Sequence, residues 1–337
     1  MIQEALARVV RGENLDRESA SAVMRILMSG EATPSQVGAL LTAFAMKGET
    51  VEEITGFAET MRALSTKIPT TSVGMVDTCG TGGDHSGTFN ISTTSAFVVA
   101  GAGVPVAKHG NRSASSLCGS ADVLEALGVN LNVGAERVGE CVDTIGIGFL
   151  FARNLHSAMK NVGPIRAELK LRTMFNILGP LTNPAGAENQ VVGVFDKSLV
   201  APIAEVLMNL GSRHVFIVAG SDGLDEITLT GSSYVAEARD GMVRTYEVHP
   251  EDFGLSTVSA DALKGGDAQA NAAILRAVLS GEPGPRRDIV LLNAAPALVA
   301  GGAADNIAAG IEQARVAIDS GAALKKLEQL VQRSNDS

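Results

Sequence analysis

Two polar, glycine-rich segments carry most of the groups in this chain that could do chemistry. Residues 77–94 open with Asp77-Thr78-Cys79-Gly80-Thr81-Gly82-Gly83-Asp84 and continue through Thr88, Asn90, Ile91, Ser92 and Thr93. The second segment reads Lys108-His109-Gly110-Asn111-Arg112-Ser113-Ala114-Ser115-Ser116. Backbone N–H groups with no Cβ in front of them, hydroxyls and cations are the groups that hold a highly phosphorylated ligand. A phosphate-handling enzyme is the leading reading.

The first loop is not a dinucleotide fingerprint, because G-x-G-x-x-G would require glycine where His85 stands. There is no G-x-x-x-x-G-K-[ST] segment either, which removes the P-loop nucleotide hydrolases. What remains is a tight glycine turn after a strand, either a phosphate cradle or an ordinary strand-to-helix turn. Asn90-Ile91-Ser92-Thr93 precedes a predicted helix, where the N-terminus favours phosphate and where Ser92 or Thr93 could also simply cap. Lys108 and Arg112 flank Gly110 at the end of an apolar strand, where a charge needs a partner. A bound pyrophosphate or the protein's own carboxylates would serve. Asp225-Glu226, after Gly220-Ser221-Asp222-Gly223-Leu224, can hold Mg²⁺ or form an exposed acidic turn.

These loops need elements to position them. The first 65 or so residues read as short helices. Asp16 caps one that ends at Gly30, Thr33-Pro34-Ser35-Gln36 forms a capping box, and Thr50-Val51-Glu52-Glu53 forms another. Val37, Leu40, Leu41 and Phe44 fall on one stripe, and Gly48 ends that helix. After Pro69 the grammar becomes strand, loop, helix. Strands are expected near residues 75–76, 104–107, 191–195, 215–219 and 289–292, with helices over 95–102 and 121–127. Continuous apolar runs separated by helices indicate a mostly parallel sheet covered on both faces, with ligands at the carboxyl ends of its strands. Residues 150–184, rich in Arg and Lys and broken by Pro164, Pro180 and Pro184, read as chain crossing back to the N-terminal helices.

Composition sets the outer limits. The 337 residues suffice for one large domain or a large and a small one, and 45% apolar content is ample for a core. Aromatic residues make up 4%, so the core must be aliphatic. A net charge of −10 opposes sequence-independent nucleic-acid binding. Three cysteines without C-x-x-C spacing oppose a disulfide framework or a zinc site and favour a reducing compartment. No apolar run approaches the ~20 residues of a membrane span, and the N-terminus lacks the pattern of a secretory signal. The expectation is a cytoplasmic protein.

Together the motifs resemble the anthranilate phosphoribosyltransferases. The resemblance rests on the two loops and on Arg166-Ala167-Glu168-Leu169. It rests equally on Arg172-Thr173-Met174-Phe175-Asn176-Ile177-Leu178-Gly179-Pro180-Leu181-Thr182-Asn183-Pro184 and on Asp225-Glu226, and it runs to about residue 325. It implies an α/β fold: a small all-helical domain of residues 1–70, with a returning segment around 160–185, on a larger domain of 71–337 with a mostly parallel central sheet flanked by helices. It implies transfer of a phosphoribosyl group from 5-phosphoribosyl 1-diphosphate to anthranilate, releasing pyrophosphate, in tryptophan biosynthesis. It further implies a homodimer formed through the helical domain, without nucleic-acid or membrane partners.

The resemblance also assigns residues. 5-Phosphoribosyl 1-diphosphate falls to Gly80, Gly83, Asp84, Thr88, Asn90, Ile91, Ser92, Thr93, Lys108, His109, Gly110, Asn111, Arg112, Ser113, Ala114, Ser115, Ser116 and Ser120. Anthranilate falls to Gly80, Asn111 and Arg166, and Mg²⁺ to Ser92, Asp225 and Glu226. Lys108, Arg166 and Asn111 would carry catalysis, with His109 as a positioning residue. Arg153, Ser157 and Lys170, and Leu117-Cys118 in the second loop, depart from the family pattern around the acceptor entrance and the phosphate flap. Cys79 and Cys118 read as small buried residues. Two rivals remain: a pyrimidine nucleoside phosphorylase-like enzyme, and a non-catalytic relative that binds nucleic acid.

Overall fold

The computed structural model describes residues 1–113 and 117–336. Four helices come first: α1 (Ile2–Val10), α2 (Arg17–Ser29), α3 (Pro34–Lys47) and α4 (Val51–Leu64). Their ends follow from local side-chain chemistry. Asp16 accepts from the Ser19 N–H, and α2 stops at Gly30 in the left-handed region. Thr33 with Gln36, and Thr50 with Glu53, close reciprocal capping boxes on α3 and α4. A cap of this kind contributes about 1 kcal/mol. Val37, Leu40, Leu41 and Phe44 are all buried, with the Phe44 ring edge-on to Phe57 at 5.2 Å between centroids.

Among the described residues the strands are β1 (Val76–Thr78), β2 (Val106–Gly110), β3 (Ile147–Phe151), β4 (Asn189–Gly193), β5 (His214–Gly220), β6 (Ser233–Arg239) and β7 (Met242–Val248). Their spatial order is β3-β2-β1-β4-β5-β6-β7; the first five run parallel and β6 and β7 antiparallel. Both faces are covered. Along β5, Val215, Ile217 and Ala219 pack into the core shared with the helical bundle, while Phe216 and Val218 pack into the core beneath the C-terminal helices. Every residue of β5 is therefore buried, which is why its sequence reads as an unbroken apolar run.

The helices of the larger part are α5 (Ile91–Gly101), α6 (Ser120–Ala126), α7 (Ala135–Ile145), α8 (Ala152–Leu155), α9 (Gly163–Leu169), α10 (Phe175–Leu178), α11 (Val200–Asn209), α12 (Ala268–Leu279), α13 (Pro285–Ala300), α14 (Ile307–Asp319) and α15 (Ala322–Asn335). The stretch from α8 to α10 does cross back to the bundle. Asn161 donates to the Met28 carbonyl at 2.6 Å, and Arg62 donates to the Leu181 carbonyl at 2.7 Å.

One expectation needs correction, and three strands went unread. Residues 289–292 are not a strand but the buried middle of α13. A helix buried on every side carries the same continuous apolar run as a parallel strand, and length alone separates them. The strands β3, β6 and β7 were not anticipated. For β6 and β7 a signal existed: Asp240 and Gly241 sit between them at φ +53° and +77°, the Asp-Gly turn of a tight hairpin.

Candidate active site

β1 is the switch point of the sheet, with β2 and β3 on one side and β4 and β5 on the other. A crevice at the carboxyl ends of β1 and β4 follows from that order. The first glycine loop fills it. The Thr81 N–H donates to the Gly193 carbonyl at 2.8 Å, and the Gly82 N–H donates to Asp225 Oδ2 at 2.7 Å. A Cβ on Gly80 would lie 2.6 Å from Asp225 Oδ2, so any larger residue here would displace that carboxylate.

Asp225 and Glu226 are not an exposed acidic turn. Glu226 Oε1 accepts from the Ser92 N–H at 3.0 Å, at the start of α5. Burial, followed by the charge of Asp84, pushes the Asp225 carboxyl up; burial, followed by the charge of Asp225, does the same to Glu226. Asp84 Oδ2 is buried without a hydrogen-bond partner. Three mutually repelling carboxylates, one with an orphan oxygen, beside Ser92, form an all-oxygen donor set that suits a hard divalent cation such as Mg²⁺. The residues present fit the metal that the sequence implies.

Beneath this cluster lies a buried strut. Asp77 accepts from the His109 N–H at 3.0 Å and from Asn183 Nδ2 at 2.7 Å. Burial raises its pKa to about 6 despite the opposing field of Lys108. The Lys108 side chain, 3% exposed, donates to the Thr78 carbonyl and is electrostatically coupled to both Asp77 and Glu226. Ligand atoms of Asp77, Cys79 and His109 lie within 4.8 Å of one another. Both Asp77 oxygens and both His109 nitrogens already have hydrogen-bond partners, however, and burial pushes the Cys79 thiol far up. That trio is structural.

The second loop divides. Arg112 lies against Asp122 at 2.8 Å and Glu125 at 2.9 Å, so the protein's own carboxylates hold it. Asp122 Oδ2 also accepts from the Ser113 N–H at 3.1 Å and the Gly119 N–H at 2.9 Å, closing the loop at its base. Ser120 Oγ donates to the Asn111 carbonyl at 3.2 Å. Leu117 is exposed and Cys118 buried. Ala114, Ser115 and Ser116 lie outside the described residues.

A cavity of about 500 Å³ adjoins the second loop, lined by Met61, His109, Asn111, Arg153, His156, Ser157, Arg166 and Phe175, among others. His109 Nδ1 faces the Gly179 carbonyl at 3.1 Å and must donate to it. Its Nε2 is then bare and accepts from the Nε2–H of His156 at 3.3 Å. Burial, reinforced by His156, depresses His109 to about 3, and burial depresses His156 to about 4. Both rings are neutral at pH 7. Arg166, on α9, stacks at 5.0 Å over Phe175, and burial lowers its pKa. Among the described residues no carboxylate engages it, so its fork is available to a ligand. Lys170, one of the departures, ends α9 at φ +50°, a conformation that glycine adopts at less cost by about 1 kcal/mol.

Of the expected residues, Gly80, Asp84 and Ser92 meet the acidic pair, Asn111 and Arg166 line the cavity, and Thr88 lies instead against Ser86 and in a bridge to Lys264. Two contributors, His156 and Arg172, were given no role from sequence, and Asp84 was assigned to the diphosphate and not to the acidic pair. Asp84 belongs with the acidic pair, His156 completes the histidine dyad, and Arg172 donates to the Gly83 carbonyl while stacking 4.0 Å over Phe195. Long sequence separation hides these meetings. Only the position of Arg172 and Asn183 inside the 172–184 block hinted at a site role.

Comparison with known proteins agrees with this fold. Residues 72–324 match the α/β domain of a glycosyl transferase family, and residues 3–65 match the helical bundle domain of that family. The anthranilate phosphoribosyltransferase of Bradyrhizobium sp. strain BTAi1 is 55% identical over 334 residues, 99% of each chain. The crystal structure of anthranilate phosphoribosyltransferase from Thermus thermophilus superposes with a TM-score of 0.94 at 45% identity, covering 98% of this chain and 99% of the other. The Saccharomyces cerevisiae enzyme in complex with PRPP and Mg superposes with a TM-score of 0.90 at 28% identity, covering 99% and 97%.

Proposed function

The chain belongs to the anthranilate phosphoribosyltransferase family, and from that premise we propose how its residues divide the reaction. The activity is transfer of the 5-phosphoribosyl group from 5-phosphoribosyl 1-diphosphate to the amine of anthranilate, with pyrophosphate leaving. The acidic cluster and first loop take the diphosphate; the cavity takes anthranilate. The observation that carries this division is the placement of Asp84, Asp225 and Glu226 with Ser92 on the loop side, and of Arg166 with two neutral histidines on the cavity side.

The chemistry asks for stabilisation of a leaving anion and of an oxocarbenium-like ribose, with the nucleophile held in line. When bound at Asp225, Glu226 and Ser92, Mg²⁺ supplies positive charge to the diphosphate. The N–H groups of the glycine loop and of the α5 terminus that Gly193, Asp225 and Glu226 do not hold bind diphosphate oxygens. Lys108 is the cation beneath them. Arg166 grips the anthranilate carboxylate, and Asn111 lies where the amine must sit. An aryl amine is neutral at pH 7, so no strong base is needed before bond formation. His109 has no free nitrogen for such a role: it shapes the cavity wall.

A titration tests the metal assignment. The raised carboxyls of Asp225 and Glu226 retain protons near neutrality, and a cation must displace them. Calorimetric Mg²⁺ binding, with 5-phosphoribosyl 1-diphosphate present, is expected to tighten as pH rises from about 6 to about 9 and to release protons to the buffer. Affinity that is flat with pH, without proton release, would contradict the assignment.

The same reading extends to assembly and setting. Val10 and Met46, on α1 and α3, are 68% and 84% exposed, as expected if the helical bundle of residues 1–70, with its returning segment at 160–185, meets a second copy. Sedimentation equilibrium tests this, and a monomer at micromolar concentration would contradict it. Three free thiols support a reducing, cytoplasmic setting; recovery of the protein in a secreted fraction would oppose it. No helix among the described residues is long and apolar enough to cross a membrane.

A further inference from the structure

Asn271 lies on α12, outside both loops and outside the cavity, yet it is 1% exposed and hydrogen-bonded through both its side-chain oxygen and nitrogen. Its Oδ1 accepts from the Gly266 N–H at 2.8 Å, and its Nδ2 donates to Asn90 Oδ1 at 3.0 Å. Asn90 Nδ2 in turn donates to the Cys118 carbonyl at 3.2 Å, and the Cys118 thiol donates to Asn90 Oδ1 at 3.4 Å. This chain of amides begins at a backbone N–H and ends at a backbone carbonyl. Neither end can reverse its polarity, so the sense of both side-chain amides between them is fixed. The same loop holds the first segment through the main chain as well: Gly265 N–H donates to the Gly87 carbonyl at 2.9 Å, and Phe89 N–H to the Leu263 carbonyl at 3.2 Å.

The consequence falls on Asn90, at the entrance to α5. Its carbonyl oxygen is occupied by two donors. The one hydrogen it has left is an N–H, which suits an anionic oxygen. A half-turn of that amide would present oxygen to a diphosphate and would set it against the Cys118 carbonyl. We propose that Asn271 is a positioning residue for 5-phosphoribosyl 1-diphosphate, locking the Asn90 amide with its N–H toward the ligand and tying the 117–119 segment to it. This inference rests on the reading that the Asn90 region holds the diphosphate side of the substrate.

Two substitutions separate this role from ordinary packing. Asn271→Asp keeps an acceptor for the Gly266 N–H but replaces the donor that faces Asn90 with a second acceptor, which draws the Asn90 N–H groups toward itself. Asn271→Ala removes both partners and leaves only Cys118 to set the sense of the Asn90 amide. Calorimetric binding of 5-phosphoribosyl 1-diphosphate with Mg²⁺ is expected to weaken about tenfold or more in Asn271→Asp and only about threefold in Asn271→Ala. Anthranilate KM should stay within about twofold in both. In an Asn90→Ala background, Asn271→Asp should add less than about twofold.

A purely structural asparagine gives the opposite order, because alanine leaves the Gly266 N–H unpaired and opens a void. The inference is overturned if Asn271→Ala is as damaging as Asn271→Asp, if anthranilate KM moves in step, or if the effect persists without Asn90. Wild-type protein that binds no 5-phosphoribosyl 1-diphosphate would instead defeat the underlying reading.

Discussion

Asp225→Asn combined with Glu226→Gln is expected to lower Mg²⁺-dependent turnover by about 10³-fold or more. The amides keep the shape of the site. The amide oxygen at position 225 can still accept from the Gly82 N–H, and the one at position 226 from the Ser92 N–H, as the carboxylates do at 2.7 and 3.0 Å. What the substitutions remove is the charge that holds the cation. Unfolding cannot mimic this result, because the stability effect has the opposite sign. In the folded protein both carboxyls are pushed above their ordinary range, Asp225 by burial and Asp84, Glu226 by burial, Asp225 and Asp84. A raised carboxyl binds more protons folded than unfolded, so without metal its contribution to stability falls as pH rises through the raised value. Neutral amides escape that loss. Without metal, the double variant should melt at or above the wild-type temperature at alkaline pH while showing almost no activity. Loss of activity together with a lower melting temperature would indicate a structural pair.

Arg166→Ala is expected to raise the anthranilate KM by about 10²-fold, while the KM for 5-phosphoribosyl 1-diphosphate changes by less than about twofold. The guanidinium lines the cavity, stacks on Phe175 at 5.0 Å and has no carboxylate partner among the described residues. Removing it therefore breaks no internal ion pair, and the loss falls on the ligand's carboxylate. Arg166→Lys should recover only part of the affinity, because an ammonium restores the charge without the two-pronged geometry. Equal damage to both substrates would place Arg166 in the scaffold.

The legibility of this protein in its sequence varied with how local each feature is. The bundle was readable because Asp16, Thr33, Gln36, Thr50 and Glu53 act within one helical turn of themselves. The strands that feed the loops were readable for the same reason. Residues 289–292 misled because burial on every side erases the helical period of α13. In the site, the resemblance to a family pointed to Asp225, Glu226 and Arg166. It did not reveal what Arg112 does here, which is to pair with Asp122 and Glu125, residues some ten positions away. Nor could spacing reveal the meeting of Asp84 with Asp225, of His109 with His156, or of Asn271 with Asn90. Each depends on strand order and on helices packing far along the chain.

The central claim is that one metal-dependent site joins the diphosphate loops to an anthranilate cavity. The most direct test is to follow anthranilate fluorescence with 5-phosphoribosyl 1-diphosphate present, in Mg²⁺ and again after chelation, while measuring released pyrophosphate. The account predicts loss of anthranilate in equal measure to pyrophosphate formed, abolished by chelation. Folded protein that leaves anthranilate untouched in the presence of Mg²⁺, or that instead cleaves a pyrimidine nucleoside with free phosphate, would contradict it.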